Sequence, residues 1–268
     1  IILGSLPILI GLFTMPTISL NFMVLGIWRS LGLVILFSSK PTEKVVNEKS
    51  RTATFTSIFQ NRSFILYFIP WIMFGLINRL EAPILREFFG ADFYTFMIVI
   101  ESLLGSLFAF IGGVLCDFLG RKRVTIYGFV SLGLAYALIG IAPGMMFSWY
   151  VYSIIDSTAM GIFMVIFIMI LWGDVSPSAG KEKYYLIGSI PFLFTDLLQK
   201  IFDPYVKSIP AYASFSFASF FLFVAVLPLM YAPETLPEKK IEIRRLKGYV
   251  EQARKIRDKY LKKTGAQG

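Results

Sequence analysis

Long apolar stretches separated by short polar ones dominate this chain. Eight can be read: Ile1–Phe13, Ile18–Phe37, Phe64–Leu80, Phe93–Leu115, Val124–Ile141, Met145–Trp172, Tyr184–Tyr205 and Tyr212–Tyr231. Length and near absence of charge mark them, rather than a helical or strand period. A helix needs about 20 apolar residues to cross the hydrocarbon core of a bilayer, so the pattern predicts an all-α, polytopic membrane bundle. Ile1–Phe13 would rise only about 20 Å, which predicts further residues upstream and makes the chain the C-terminal part of a larger protein. Met145–Trp172 exceeds a straight crossing and is expected to tilt or protrude. Pro70, Pro191 and Pro228 fall inside runs, where neighbouring helices can absorb a kink.

The connections alternate in character. Thr14–Thr17 and Ala142–Gly144 are uncharged and tight, whereas Ser38–Ser63, Cys116–Arg123, Gly173–Lys183 and Ala232–Gly268 hold most of the Lys and Arg. The opposite side carries only Arg79, Arg86 and Lys207. By the positive-inside rule the basic connections and the C-terminus lie in the cytoplasm, with the plasma membrane as the expected location. Residues 1–37 then form two helices, 38–63 a central cytoplasmic loop, 64–231 a six-helix bundle and 232–268 a basic tail. The tail reads as a helix, with Leu246, Val250, Ala253, Ile256 and Tyr260 on one narrow stripe. Its basic faces suit anionic lipid headgroups.

Composition agrees with this layout. The chain is 56% apolar with a mean hydropathy of +0.69, too oily for a soluble domain of this size. Its net charge of +9 follows from the basic connections and needs no nucleic acid to explain it. There is no His and a single Cys, Cys116, which excludes a disulfide framework within the chain and a Cys/His zinc cluster. No cofactor or metal is expected. An acid pair of Asp156 and Asp196 would be the only basis for an intramembrane enzyme, and no catalytic motif accompanies it.

The turn after Leu115 has a distinctive order. Gly113, Asp117, Gly120, Arg121 and Lys122, followed by Arg123, read G-x-x-x-D-x-x-G-R-K-R. Gly120 suits the positive φ of a tight turn, and Asp117 has cations close by for charge-assisted bonds. The order resembles the loop motif of the major facilitator superfamily of secondary transporters, which falls between the second and third helices of each six-helix half; Phe118 stands where that family often has a cation. Pro233-Glu234-Thr235 is similar to the P-E-T that ends the twelfth helix of its sugar and organic-ion porters. The resemblance implies that the runs are helices five to twelve, with helices one to four lying outside this sequence. It implies a small organic solute bound near the midplane between two halves, alternating access by rocking, and a motif loop that stabilises one state. The missing helices or a partner chain would complete the assembly. The rival expectation is a non-transporting scaffold or subunit of the same fold.

Charges inside the runs are the candidate site. Glu101, Asp156 and Asp196 each lie about 12–14 Å from the outer boundary, counted along a helix, so they share one depth near the midplane. Charge there is costly and is expected to face protein or water. Asp196 and Lys200 are spaced to pair on one helix face that also holds Gln199. Glu101 has no partner in its own helix, and a desolvated carboxyl suits proton uptake. Were transport ion-coupled, protons on these three carboxyls would be the natural currency. Gly105, Ala109 and Gly113 follow Glu101 as a small-residue face, and Ser153, Ser157 and Gly161 accompany Asp156 on another; such faces permit close helix packing. Asp156 can also pair with a cation of another helix, Lys200 or Arg29. Trp71 and Asn78 fall on one stripe of their helix with Tyr67 and Phe74, which is either an aromatic wall for a solute or core packing. Asp174 and the cations of Lys181–Lys183 are either gating pairs or a solvated turn, and the solvated turn is the simpler expectation.

Overall fold

The computed structural model describes Ser30, residues 55–177 and residues 180–236, with the backbone alone at Asp196 and Lys207. The expected helices within 1–37, most of the 38–63 loop, Arg29 and the tail helix lie outside the described residues. The rest is helical, with no strand among the described residues. In chain order the helices are α1 (Phe55–Gln60), α2 (Arg62–Ile77), α3 (Glu81–Leu119), α4 (Arg121–Ile141), α5 (Met146–Phe163), α6 (Leu171–Val175), α7 (Lys181–Ser208) and α8 (Ala211–Tyr231). A π-helical segment, Met164–Ile170, joins α5 to α6.

Four helical stretches are long and apolar enough to cross a membrane: Arg62–Leu119, Arg121–Ile141, Met146–Val175 and Ala211–Tyr231. The first contains two of the expected runs, joined at Asn78–Leu80. α7 has the length, 28 residues, but stands outside this set, because Glu182, Asp196, Lys200, Asp203 and Lys207 lower its hydropathy. The protein is a helical membrane protein whose apolar outer surface, including Phe110, Leu134, Phe220 and Tyr231, suits contact with lipid.

Several boundaries differ from the sequence pattern. Residues 55–60 and 62–63, assigned to the central loop, are already helical. Asn61 begins α2 as an N-cap: its Oδ1 accepts from Ser63 N at 3.0 Å and Phe64 N at 3.3 Å. Such a cap supplies an acceptor for amides that have none within the helix. The next helix starts at Glu81, well before Phe93, and is broken at Gly90, whose φ of 84° and ψ of 171° lie outside helical values. Met145–Trp172 is not one uninterrupted α-helix: Met164–Ile170 is π-helical, with the wider i→i+5 ladder of that form.

Close packing follows the small residues. The two small-residue faces expected on separate helices meet each other. A methyl added at Gly161 would lie 2.6 Å from Ala109 N and 2.7 Å from Gly105 O. Only glycine lets α3 and α5 approach this far. α4 and α8 pack similarly: Phe223 lies against Gly133, Phe215 against Gly140, and Ser219 Oγ donates to Gly133 O at 2.8 Å. Between these pairs sits an aromatic core. Trp71 stacks on Phe167 with centroids 4.5 Å apart, and Phe74, Phe129 and Phe163 close around it.

Candidate functional site

Two polar regions stand apart in this apolar bundle, one at the basic end and one deeper within the helices.

At the basic end the turn expected over Cys116–Arg123 contracts to one residue. Asp117 belongs to the last turn of α3, Arg121–Arg123 form the first turn of α4, and Gly120 alone lies between, with φ 96° and ψ 148°. The positive φ is the conformation that favours glycine. Opposite it, Glu234 occupies the space a side chain at position 120 would need. The Glu234 carboxylate accepts from Arg121 N at 2.9 Å and from Lys122 N at 3.2 Å, capping α4 from a point 113 residues away in sequence. In return Lys122 Nζ donates to Met230 O at 2.7 Å, near the C-terminus of α8. A carboxylate at a helix N-terminus and an ammonium at a C-terminus each match the helix dipole, so the two antiparallel helices cap one another. Arg121, only 9% exposed, forms an ion pair with Asp174, and Asp117 also acts on it electrostatically. Asp174 is therefore an ion-pair partner of Arg121 and not part of a merely solvated turn. Tyr67 Oη adds a bond to Pro233 O at 2.7 Å. Gly113 packs near Val165, and Arg123 is exposed.

The second region is a cavity of about 400 Å³. α2 ends on it with Asn78 and is followed by Arg79. α3 contributes Glu81, Tyr94 and Glu101, α5 contributes Asp156, and Met160, Met164 and Phe192 supply apolar wall. Glu101 and Asp156, placed at one depth by counting along their helices, thus face one space. Each carboxyl accepts a hydroxyl from the protein. Ser153 Oγ donates to Glu101 Oε1 at 2.5 Å, Tyr136 Oη to Glu81 Oε2 at 2.8 Å, and Tyr152 Oη to Asp156 Oδ1 at 3.5 Å. The rings of Tyr136 and Tyr152 pack edge to face, 5.2 Å apart. Ser153 resolves the missing partner of Glu101: it comes from α5, across the helix interface. Arg79 acts electrostatically on all three carboxyls. It is also the one non-glycine residue among those described with a positive φ, 68°. A left-handed backbone costs a non-glycine residue about 1–2 kcal/mol, so packing at this turn holds the guanidinium there against a local preference.

The other expected site residues separate. Trp71 is 1% exposed and bonds through Nε1 to Gly188 O at 2.9 Å, so it belongs to the core and is no wall of this cavity. Gln199 lines a crevice of about 10 Å³ shared with Asn78, Arg79 and Asp203, which has room for a water molecule at most. Lys200 is exposed on α7 and is not the partner of Asp156, whose bond is to Tyr152. The Asp196 side chain lies outside the described residues. Arg79 was read as a cation of the face opposite the basic connections and Glu81 was not singled out, because nothing in local spacing points either of them inward. Tyr152, four residues before Asp156 on the same helix, is the one signal the sequence offered for these partners.

No family model matches this chain, and neither a curated protein nor a solved structure matches it.

Proposed function

We propose that this chain forms the C-terminal part of a secondary transporter of the major-facilitator type, moving a small organic solute by alternating access. The observation that carries the reading is the convergence of Glu81, Glu101 and Asp156, from two helices, on one cavity of about 400 Å³. Cavities of about 300–1,000 Å³ suit small ligands, and intramembrane carboxyls characteristically mark solute or ion pathways. In this reading protons on Glu101 and Asp156 couple transport to a gradient. The basic end acts as the latch of one state: Gly120–Lys122, Asp174 and Glu234 hold α4, α6 and the end of α8 together, and opening toward the cytoplasm requires those bonds to part. The C-terminus is cytoplasmic.

Thiol labelling tests alternating access without knowledge of the solute. Ser102→Cys, in a Cys116→Ala background, places a thiol on the cavity wall. Membrane-impermeant maleimides are then applied to whole cells and to inverted vesicles. Alternating access predicts labelling from both faces. Labelling from one face alone, under every ion gradient imposed, contradicts transport and favours a scaffold.

A further inference from the structure

We infer that the solute is an organic monocation with an apolar body; this rests on the transport reading of the cavity and goes further by naming what fills it. The wall sets one fixed cation, Arg79, against three carboxyls, Glu81, Glu101 and Asp156, and all four interact electrostatically. Each of these carboxyls receives a hydroxyl from the protein, and Glu81 is bonded by its own backbone amide and by Tyr152 as well. Once Glu101 and Asp156 have released their protons, an anionic solute would meet three carboxylates, with Arg79 on the wall and Arg86 behind Tyr94 as the cations nearby, and like charges at this range in a poorly solvated space are strongly disfavoured.

The arrangement also argues for one particular kind of cation. Among the described residues no group of acids stands close enough together to chelate a metal ion; the carboxyls are spread around the wall. Between them lie Ile98, Met160, Met164 and Phe192. Met side chains adapt to irregular apolar shapes. Tyr94, also on the wall, carries the guanidinium of Arg86 with its carbon 4.0 Å from the ring centroid, a cation–π contact made within the protein itself. A diffuse positive charge wrapped in apolar groups matches such a lining better than a small, strongly hydrated ion.

A pair of ions of the same shape and opposite charge isolates the claim. The whole protein in lipid nanodiscs is titrated with radiolabelled tetraphenylphosphonium and, separately, with tetraphenylborate. Saturable binding of the cation and only non-saturable partitioning of the anion is the expected result. Asp156→Asn together with Glu101→Gln is expected to weaken cation binding about tenfold, while Asp92→Asn, on an exposed part of α3, leaves it unchanged. Saturable binding of the borate, or of neither ion, overturns the inference on the unaltered protein, whatever the variants do. Cation binding that survives the double substitution overturns it as well. The labelling experiment keeps the two readings apart. Two-faced access without cation binding leaves a transporter of another solute class, and one-faced access removes transport even if the cation binds.

Discussion

At the scale of single residues, burial decides between readings that spacing leaves open. The stripe of Tyr67, Trp71, Phe74 and Asn78 in α2 fits a solute wall as well as a core, because in a membrane both lipid-facing and protein-facing positions are apolar. The structure divides the stripe: Asn78 reaches the cavity, and Trp71 is locked by its bond to Gly188 O and its stack on Phe167. Trp71→Phe keeps the stacking but leaves the carbonyl without the indole donor. Its expected cost is about 1–2 kcal/mol of stability, read as a lowered thermal midpoint in detergent, with labelling at Ser102→Cys unchanged. Lost labelling at undiminished stability would put Trp71 back at the site. Glu101 and Asp156 were legible because depth in a bilayer follows from counting along a helix. Glu81 and Arg79 were not, because a charge at the end of an apolar run looks like a loop residue until the turn that follows is known. Here that turn is Asn78–Leu80, and its left-handed Arg79 redirects the chain so that the next carboxyl faces inward.

At the scale of elements, small residues set distance and long-range caps set register. Gly105 and Ala109 on α3 meet Gly161 on α5, an approach the four-residue spacing foretold on each helix but could not pair. Gly161→Ala places a methyl against backbone atoms of α3, which cannot yield as a side-chain tip would. The predicted loss is about 1–3 kcal/mol, checked by the thermal midpoint; an unchanged midpoint would mean that the two helices do not pack this closely. Helix ends were less legible than helix centres. The tight glycine turn was readable from G-R-K, since positive φ is a local property. Glu234 capping α4 and Asp174 holding Arg121 were not, since both bonds join residues far apart in sequence. α7 shows a further limit: hydropathy made Tyr184–Tyr205 a run, yet its charges leave it less apolar than the four spanning stretches.

At the scale of the whole molecule, the described residues divide their polar chemistry between a bonded cluster at the basic end and a cavity within the helices, with an aromatic core between them. The exposed face of α7, with Leu193, Phe194 and Leu197, is apolar enough for lipid or for another bundle. The central claim is that carboxyls from α3 and α5 share one space. Carbodiimide modification read peptide by peptide in a mass spectrometer tests it most directly. The Ser102→Cys, Cys116→Ala protein is treated with a water-soluble carbodiimide and a glycine ester, before and after a bulky maleimide is attached at position 102. The account predicts modification of Glu101 and Asp156 in the open protein and its joint suppression by the adduct. Suppression at Glu101 with Asp156 still fully modified would show that the two carboxyls do not face one cavity, and the site as described would fall.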